Sequence, residues 1–475
     1  MKKLICLWMS VMLLALWPAT SALADQEWPE DMSIEAEAGI VIDADSGAVL
    51  YGKNIHAAYP PASITKLLTA LVVIENSSLE DVVTFSDDAV NNLEAGGGNK
   101  SNVVVGDTLP VKDCLHSMLL ISCNQSANAL AEHVAGSREG FVKMMNDKIA
   151  SLGCTDSKFA NPSGLNDDNQ YVSAYDMALI ARAAFANPVL LEIASAKTYE
   201  MSGTTNNPNG WTIYMEHKLL ITSNSDSQYY YPDALAGKIG WTSLAGNTMA
   251  TYASRDGKNL IAVVLKGSQP QYYMDGKALF DFGFDHFTTF SVADNEKAYQ
   301  QEGEMVSIGA KSYPSKDVTI DPKGAVTLPN GAAFADAQME LTATLPANHP
   351  EDAKAWLRYT YGGREVGGAF LYAKEPETIA PTQPAPSKEP SQAEKEPPKA
   401  PIDVDLMRNI LIGAAVLAAA AGGLCALIWY RRKKEREERE RRRLRRLERL
   451  REIDCTEEEF ERLVNERKNR QKTQD

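Results

Sequence analysis

Histidine and cysteine are scarce in this chain: six of each in 475 residues. The histidines show no zinc-type spacing, so a structural or catalytic zinc site is not expected. Cys6, Cys425 and Cys455 lie close to the two ends, which leaves Cys114, Cys123 and Cys154 in the body of the chain. An odd set of three gives no disulfide framework, and small buried apolar roles fit them better. A net basic charge is also lacking. The formal charge is −15, which argues against a nucleic-acid partner. Long apolar runs are confined to the two ends.

The first run, Leu4 to Trp17, follows Lys2 and Lys3 and precedes Ala22-Leu23-Ala24. This is the pattern of a secretory signal peptide over residues 1–24. The second, Ile410 to Tyr430, has the length of a bilayer span and no charge inside it. Trp429 and Tyr430 suit an interfacial belt, and Arg431-Arg432-Lys433-Lys434 place that end in the cytoplasm. The layout read from the sequence is therefore a signal peptide (1–24), a main α+β domain (25–288), a small β-rich domain (289–374), a Pro-rich linker (375–408), one transmembrane helix (409–430) and a charged cytoplasmic tail (431–475). The protein is placed in the cell membrane, single-pass, with its domains outside. Two readings stay open for the tail: a solvated, charge-laced helix near anionic lipid, or a helix that binds a cytoplasmic partner through Leu444, Leu447 and Leu450.

Within the main domain, Gly39 to Ile42 and Ala48 to Tyr51 read as a hairpin, and Asn247 to Ala253 with Asn259 to Leu265 as another. Helices are expected from Ala62 to about Glu75, Lys112 to Ile121, near Ser126 to just before Gly136, Arg138 to Leu152, Ser173 to Ala186 and about Tyr272 to Phe282. Val103-Val104-Val105 reads as a short strand. Helices and hairpins interleave without regular βαβ spacing, which gives the α+β class.

Three polar sets sit in this otherwise apolar framework. Pro60-Pro61-Ala62-Ser63-Ile64-Thr65-Lys66 opens the most apolar helix, with Ser63 and Lys66 one turn apart on one face. A lysine depressed by desolvation can take the proton of a serine and make it a nucleophile. The same spacing also fits an N-capping serine and a snorkelling lysine. Ser63-x-x-Lys66 is the only such spacing in the chain. Ser122-x-Asn124 lies between two helices, where ordinary turn chemistry is the simpler reading. Lys238-Ile239-Gly240-Trp241-Thr242 follows Tyr231-Pro232.

Taken in order, these sets resemble the serine penicillin-binding enzymes and serine β-lactamases, whose motifs are Ser-x-x-Lys, Ser-x-Asn and Lys-Thr-Gly. Ala129 to Gly136, Asn161-Pro162-Ser163-Gly164-Leu165 and Ala174-Tyr175-Asp176-Met177-Ala178 are similar to the low-molecular-mass D-alanyl-D-alanine carboxypeptidases. The resemblance is strong over about residues 35–285 and weaker over the β-rich domain. It implies a penicillin-binding/β-lactamase-like transpeptidase domain, with an antiparallel sheet and helices. The implied partners are peptidoglycan stem peptides and β-lactam antibiotics, and no metal or organic cofactor is required. By the same resemblance, Ser63 is the nucleophile, Lys66 the base and Ser122 a proton relay. Asn124, Lys238, Gly240, Trp241 and Thr242 are the substrate-binding set, and the backbone N–H groups of Ser63 and Trp241 form the oxyanion hole. Ile239 departs from the family's hydroxyl residue, so Thr242 is considered as its replacement, and D,D-endopeptidase action as an alternative. A scaffold whose tail recruits a partner is the reading from another class. The loop from Cys154 to Tyr171 contains no Glu, which argues against a class A β-lactamase.

Overall fold

The computed structural model describes residues 27–374, apart from 95, 96, 99, 223–227, 298 and 300–302. The signal peptide, Pro-rich linker, transmembrane helix and charged tail read from the sequence lie outside these residues. The fold is built on a five-stranded antiparallel sheet. Its strands are β1 (Ala38–Asp43), β2 (Val49–Lys53), β3 (Ala234–Thr242), β4 (Gly246–Arg255) and β5 (Lys258–Gly267), in spatial order β2-β1-β5-β4-β3. Every residue of β1 is buried, so both of its faces are covered. An apolar run without alternation is what such a strand requires. Val41 stands opposite Ala262, and Lys238 opposite Ala250.

The helices of eight residues or more are α1 (Lys66–Asn76), α2 (Val111–Leu120), α3 (Asn124–Ala135), α4 (Arg138–Ser151), α5 (Ala174–Ala186), α6 (Pro188–Ser195) and α7 (Gln271–His286). Helices α5 and α7 cover β1, β4 and β5. Helix α1 is buried from Lys66 through Val73 and packs on α2, α3, α4 and α5. Its apolar residues at every angle leave it no solvent face, so it becomes the centre of the helical layer. Gly136 ends α3 at φ +74°, a conformation that costs glycine little. Ser137 then caps α4 through Gly140 N, and Ser173 caps α5 through Asp176 N.

Two sequence readings change. Val103–Val105 is not a strand. Asp107 Oδ2 accepts Val104 N–H at 2.8 Å and Gly106 turns the chain at φ +91°, so local side-chain bonding displaces the ladder. Helix α6 was not anticipated, although Asn187 caps it and Pro188 opens it.

A second sheet begins at Phe287. Its strands run in the order Phe287–Ser291, Ala325–Pro329, Arg364–Ala373, Ala355–Tyr361, Gln338–Thr342, with Val318–Ile320 also paired to Arg364–Ala373. It has its own buried cluster, including Val326, Leu328, Leu357, Val366 and Leu371. Polar bonds fasten it to the β1–β2 turn. Buried Asp43 accepts Ser46 N–H at 2.8 Å and the Thr289 hydroxyl at 2.7 Å, and Ser46 Oγ lies 2.8 Å from Thr327 Oγ1. Trp28 packs against both clusters and donates to Leu50 O at 2.9 Å.

Candidate active site

The Ser63 turn is strained before it is functional. Pro60 and Pro61 deliver the chain to Ala62, which lies at φ +51° and starts a 3-10 turn, Ala62–Thr65, that runs directly into α1. A non-glycine residue in the left-handed region costs about 1–2 kcal/mol. The turn rests on β3 and β4. Thr248 on β4 donates its hydroxyl to Pro61 O at 2.8 Å.

Lys66 is fully buried. Its Nζ lies 2.9 Å from Ser63 Oγ, and it donates to Asn124 Oδ1 at 2.8 Å and to Ser163 O at 2.6 Å. Burial, and after it the charge of Lys238, holds Lys66 well below the usual lysine range. A neutral amine has two hydrogens and one lone pair. In that form Asn124 and Ser163 would take the two hydrogens, and the lone pair would face the hydroxyl proton of Ser63.

The Ser163 carbonyl was not expected among the site groups. It belongs to the turn Asn161-Pro162-Ser163-Gly164, held by Asn161 Oδ1, which accepts Gly164 N–H at 2.8 Å. Thr69 of α1 donates to Pro162 O at 2.7 Å. Gly164, at φ +84°, leaves room for the Ser63 turn; a Cβ there would lie 1.9 Å from Ala62 O. Because the contribution is a backbone carbonyl, no residue type advertised it.

Ser122 takes φ +62° just before α3 begins at Asn124. Lys238 on β3 is buried, and its Nζ donates to Ile239 O at 2.9 Å. Burial lowers its pKa to about 7, with Glu216 opposing and Lys100 adding to the shift. Gly240 passes so close to the nucleophile that a Cβ would stand 2.5 Å from Ser63 N and 2.9 Å from Ala62 Cβ. Trp241 is two-thirds exposed.

These groups surround one cavity of about 440 Å³, lined by Ser63, Ser122, Asn124, Lys238, Ile239, Gly240 and Trp241. Lys100, Glu216, Lys218, Tyr272 and Tyr273 also line it, and the sequence reading assigned none of them to the site. Thr242 is placed elsewhere. It is buried, its hydroxyl accepts Ala245 N–H at 3.0 Å, and it serves the β3–β4 turn. It therefore does not replace the hydroxyl missing at Ile239. The three cysteines of the main domain are buried and unbridged, as their odd number suggested.

The arrangement can perform acyl transfer to a serine. The family model described as D-alanyl-D-alanine carboxypeptidase, Peptidase_S11, matches residues 24–269. The chain belongs to this family. It is 35% identical over 255 residues to D-alanyl-D-alanine carboxypeptidase DacB2 of Mycobacterium tuberculosis, covering 52% of this chain and 82% of that one. It is 30% identical over 342 residues to D-alanyl-D-alanine carboxypeptidase DacC of Escherichia coli, covering 69% of this chain and 81% of the other. Among solved structures, penicillin binding protein 5 from Haemophilus influenzae aligns with 73% of this chain and 98% of its own, with a TM-score of 0.56 at 24% identity. That last likeness concerns the fold, which is the α+β penicillin-binding-protein fold read from the sequence.

Proposed function

We propose that this peptidase removes the terminal D-alanine from peptidoglycan stem peptides through a Ser63 acyl-enzyme. The observation that carries the mechanism is the buried Lys66 Nζ, 2.9 Å from Ser63 Oγ and bonded to Asn124 Oδ1 and Ser163 O. Ser63 Oγ attacks the carbonyl carbon of the penultimate D-alanine while Lys66 takes its proton. The N–H groups of Ser63 and Trp241 receive the oxygen as it becomes negative. The peptide C–N bond then breaks. The proton passes through the Ser122 hydroxyl to the departing amine, and D-alanine leaves. Water, deprotonated by Lys66, cleaves the serine ester and returns the enzyme. Strand β3 is an edge of its sheet, so an extended peptide can pair with it, with Asn124 holding the peptide amide on the other side. Lys238 supplies positive charge to the relay and to the substrate's carboxylate.

A β-lactam places a strained amide carbonyl at the same point, and Ser63 opens it to a long-lived ester. The outside-facing, membrane-anchored placement read from the sequence suits this substrate, which lies beyond the membrane. A second reading rests on Ile239. It lines the cavity without a hydroxyl, and Thr242 is engaged in a turn. Substrates without a free carboxylate at that point, as in D,D-endopeptidase action, are favoured accordingly.

The test uses the full chain, wild type and Ser63→Ala, with a fluorescent penicillin and with a D-Ala-D-Ala stem peptide. Ser63-dependent labelling and release of D-alanine are expected. No labelling of the folded wild type would end the acyl-enzyme reading. Labelling without release of D-alanine would favour the endopeptidase reading.

A further inference from the structure

A second cavity opens where the second sheet meets the main domain. Its volume is about 650 Å³, within the ~300–1,000 Å³ span of small-molecule sites. It shares no lining residue with the catalytic cavity. Each domain brings a pair of aromatic rings to its wall. From the main domain come Phe185, at the end of α5, and Tyr252 on β4, with ring centroids 5.7 Å apart. From the second sheet come Trp356 and Phe370, directly opposite each other in neighbouring strands and 4.7 Å apart. The Trp356 indole lies over Gly368, where a Cβ would stand 2.4 Å from its Cζ2. The ring position therefore depends on a glycine beneath it. Tyr252, Trp356 and Phe370 are only partly buried, so ring surface remains to be covered.

Charged groups share the same walls. Arg182 donates from Nε to Ala44 O at 2.7 Å and from Nη2 to Asp45 O at 2.6 Å. Asp45 Oδ2 accepts Asn259 Nδ2–H at 3.1 Å, and Asp321 Oδ1 accepts Lys323 N–H at 2.9 Å. Arg182 and Lys323 thus face the cavity with Asp45 and Asp321, two charges of each sign. A wholly apolar ligand would strip these groups of water and return nothing. A ligand of high net charge would meet two groups of its own sign. A neutral ring with apolar faces and a hydroxylated edge meets both demands. Its faces cover the aromatic rings. Its hydroxyls donate to the aspartates and accept from the arginine and lysine. Those are the surfaces of a sugar.

We infer that this cavity binds a saccharide chain, and that the chain is the glycan to which the stem peptides are joined. The saccharide site stands on the cavity itself; its assignment to the wall glycan rests on the peptidoglycan reading above. The protein then holds its polymer at one place and cuts the attached peptide at another, and glycan-linked peptides are favoured over free ones.

The binding probe is the β-1,4-linked tetramer of N-acetylglucosamine. It is titrated by calorimetry into the full-length protein, in a detergent without a sugar head group, with and without prior treatment with penicillin. Binding is expected in both, since the catalytic cavity is elsewhere. Trp356→Ala should weaken it by about tenfold, and Trp356→Phe, which keeps a ring, by less than about threefold. Lys323→Ala, at an exposed position, should weaken it about threefold and leave the melting curve unchanged. No binding of the tetramer to the folded wild type overturns the inference. So does binding unmoved by both alanine substitutions, or binding that penicillin abolishes. A free pentapeptide that occupies the site in place of the tetramer, with the same sensitivity to Trp356→Ala, overturns it in favour of a peptide site. The second arm measures release of D-alanine from free and from glycan-linked pentapeptide. Trp356→Ala should lose about tenfold in kcat/KM on the linked substrate and keep its rate on the free one. An equal rate on both substrates in wild type and variant, with the tetramer still bound, overturns the wall-glycan assignment. No release from either, with the tetramer still bound, overturns the carboxypeptidase reading and supports the saccharide site alone.

Discussion

Gly240→Ala adds one methyl group at the closest approach of β3 to the nucleophile. The new carbon would stand 2.5 Å from Ser63 N, 2.7 Å from Thr248 Oγ1 and 2.9 Å from Ala62 Cβ. Two of these contacts are to the 3-10 turn itself, which cannot rotate away as a long side chain could. Restoring ordinary contact distances requires β3 and the turn to separate by about 1 Å. The separation falls between Ser63 and Trp241, whose N–H groups are proposed to hold one oxygen. A displacement of about 1 Å at reacting groups costs roughly 100-fold in rate, or about 2.7 kcal/mol of barrier. The assay is the second-order rate of labelling by a fluorescent penicillin, read beside the melting temperature. Gly237→Ala is the comparison. A Cβ there would meet Ala250 O at 2.9 Å and Thr251 Oγ1 at 2.9 Å, away from the Ser63 turn. It should lower the melting temperature with less than about a tenfold loss of rate. A Gly240→Ala protein that labels within about threefold of wild type would refute the account of the oxyanion geometry.

Three further outcomes follow from the same site and its support. Ile239→Thr restores a hydroxyl to the cavity wall and should raise kcat/KM for D-Ala-D-Ala peptides by about tenfold or more; an unchanged value would remove Ile239 from the account of specificity. Lys238→Met should abolish peptide release yet raise the melting temperature. Burial lowers the Lys238 pKa to about 7, so below pH 7 the folded state carries a charge it holds poorly, at a cost of a few kcal/mol. That gain should be full below about pH 7 and shrink as pH rises toward the ordinary lysine range near 10.5; melting curves across pH check the sign. Thr289→Val removes the hydroxyl that donates to buried Asp43 at 2.7 Å and should cost about 1–2 kcal/mol in denaturant melts with little change in penicillin labelling.

What the sequence disclosed and what it withheld divide along physical lines. Ser63 and Lys66 were legible because their relation is local: one helical turn fixes it. The α1 helix was legible because apolar residues at every angle have no other use. The hairpins β1–β2 and β4–β5 were legible from two-residue alternation and turn residues. Lys100 and Glu216 were not, since an ion pair between distant segments leaves no periodic trace. The Ser163 carbonyl was invisible because every residue has one; only the Asn-Pro-Ser-Gly turn hinted that this backbone mattered. Thr242 misled by proximity in sequence. It stands two residues beyond Gly240, but the strand ends there and its hydroxyl is taken by the turn. The three valines at 103–105 misled by composition, since a neighbouring aspartate offered their backbone a better bond.

The order of strands in the first sheet has a consequence for how the molecule comes into being. β1 is made early, but one of its two neighbours is β5, with Val41 opposite Ala262. Contacts so remote in sequence form slowly, because the intervening loop must close before the pairing rewards it. A nascent chain that stops short of Lys258 holds β1 with one edge bare and apolar, a template for pairing with other chains. The reactive serine is also made early. Lys238 and Gly240 reach it on β3, and β3 joins the sheet through β4, which in turn pairs with β5. The site around Ser63 therefore lacks its β3 wall until the sheet is complete.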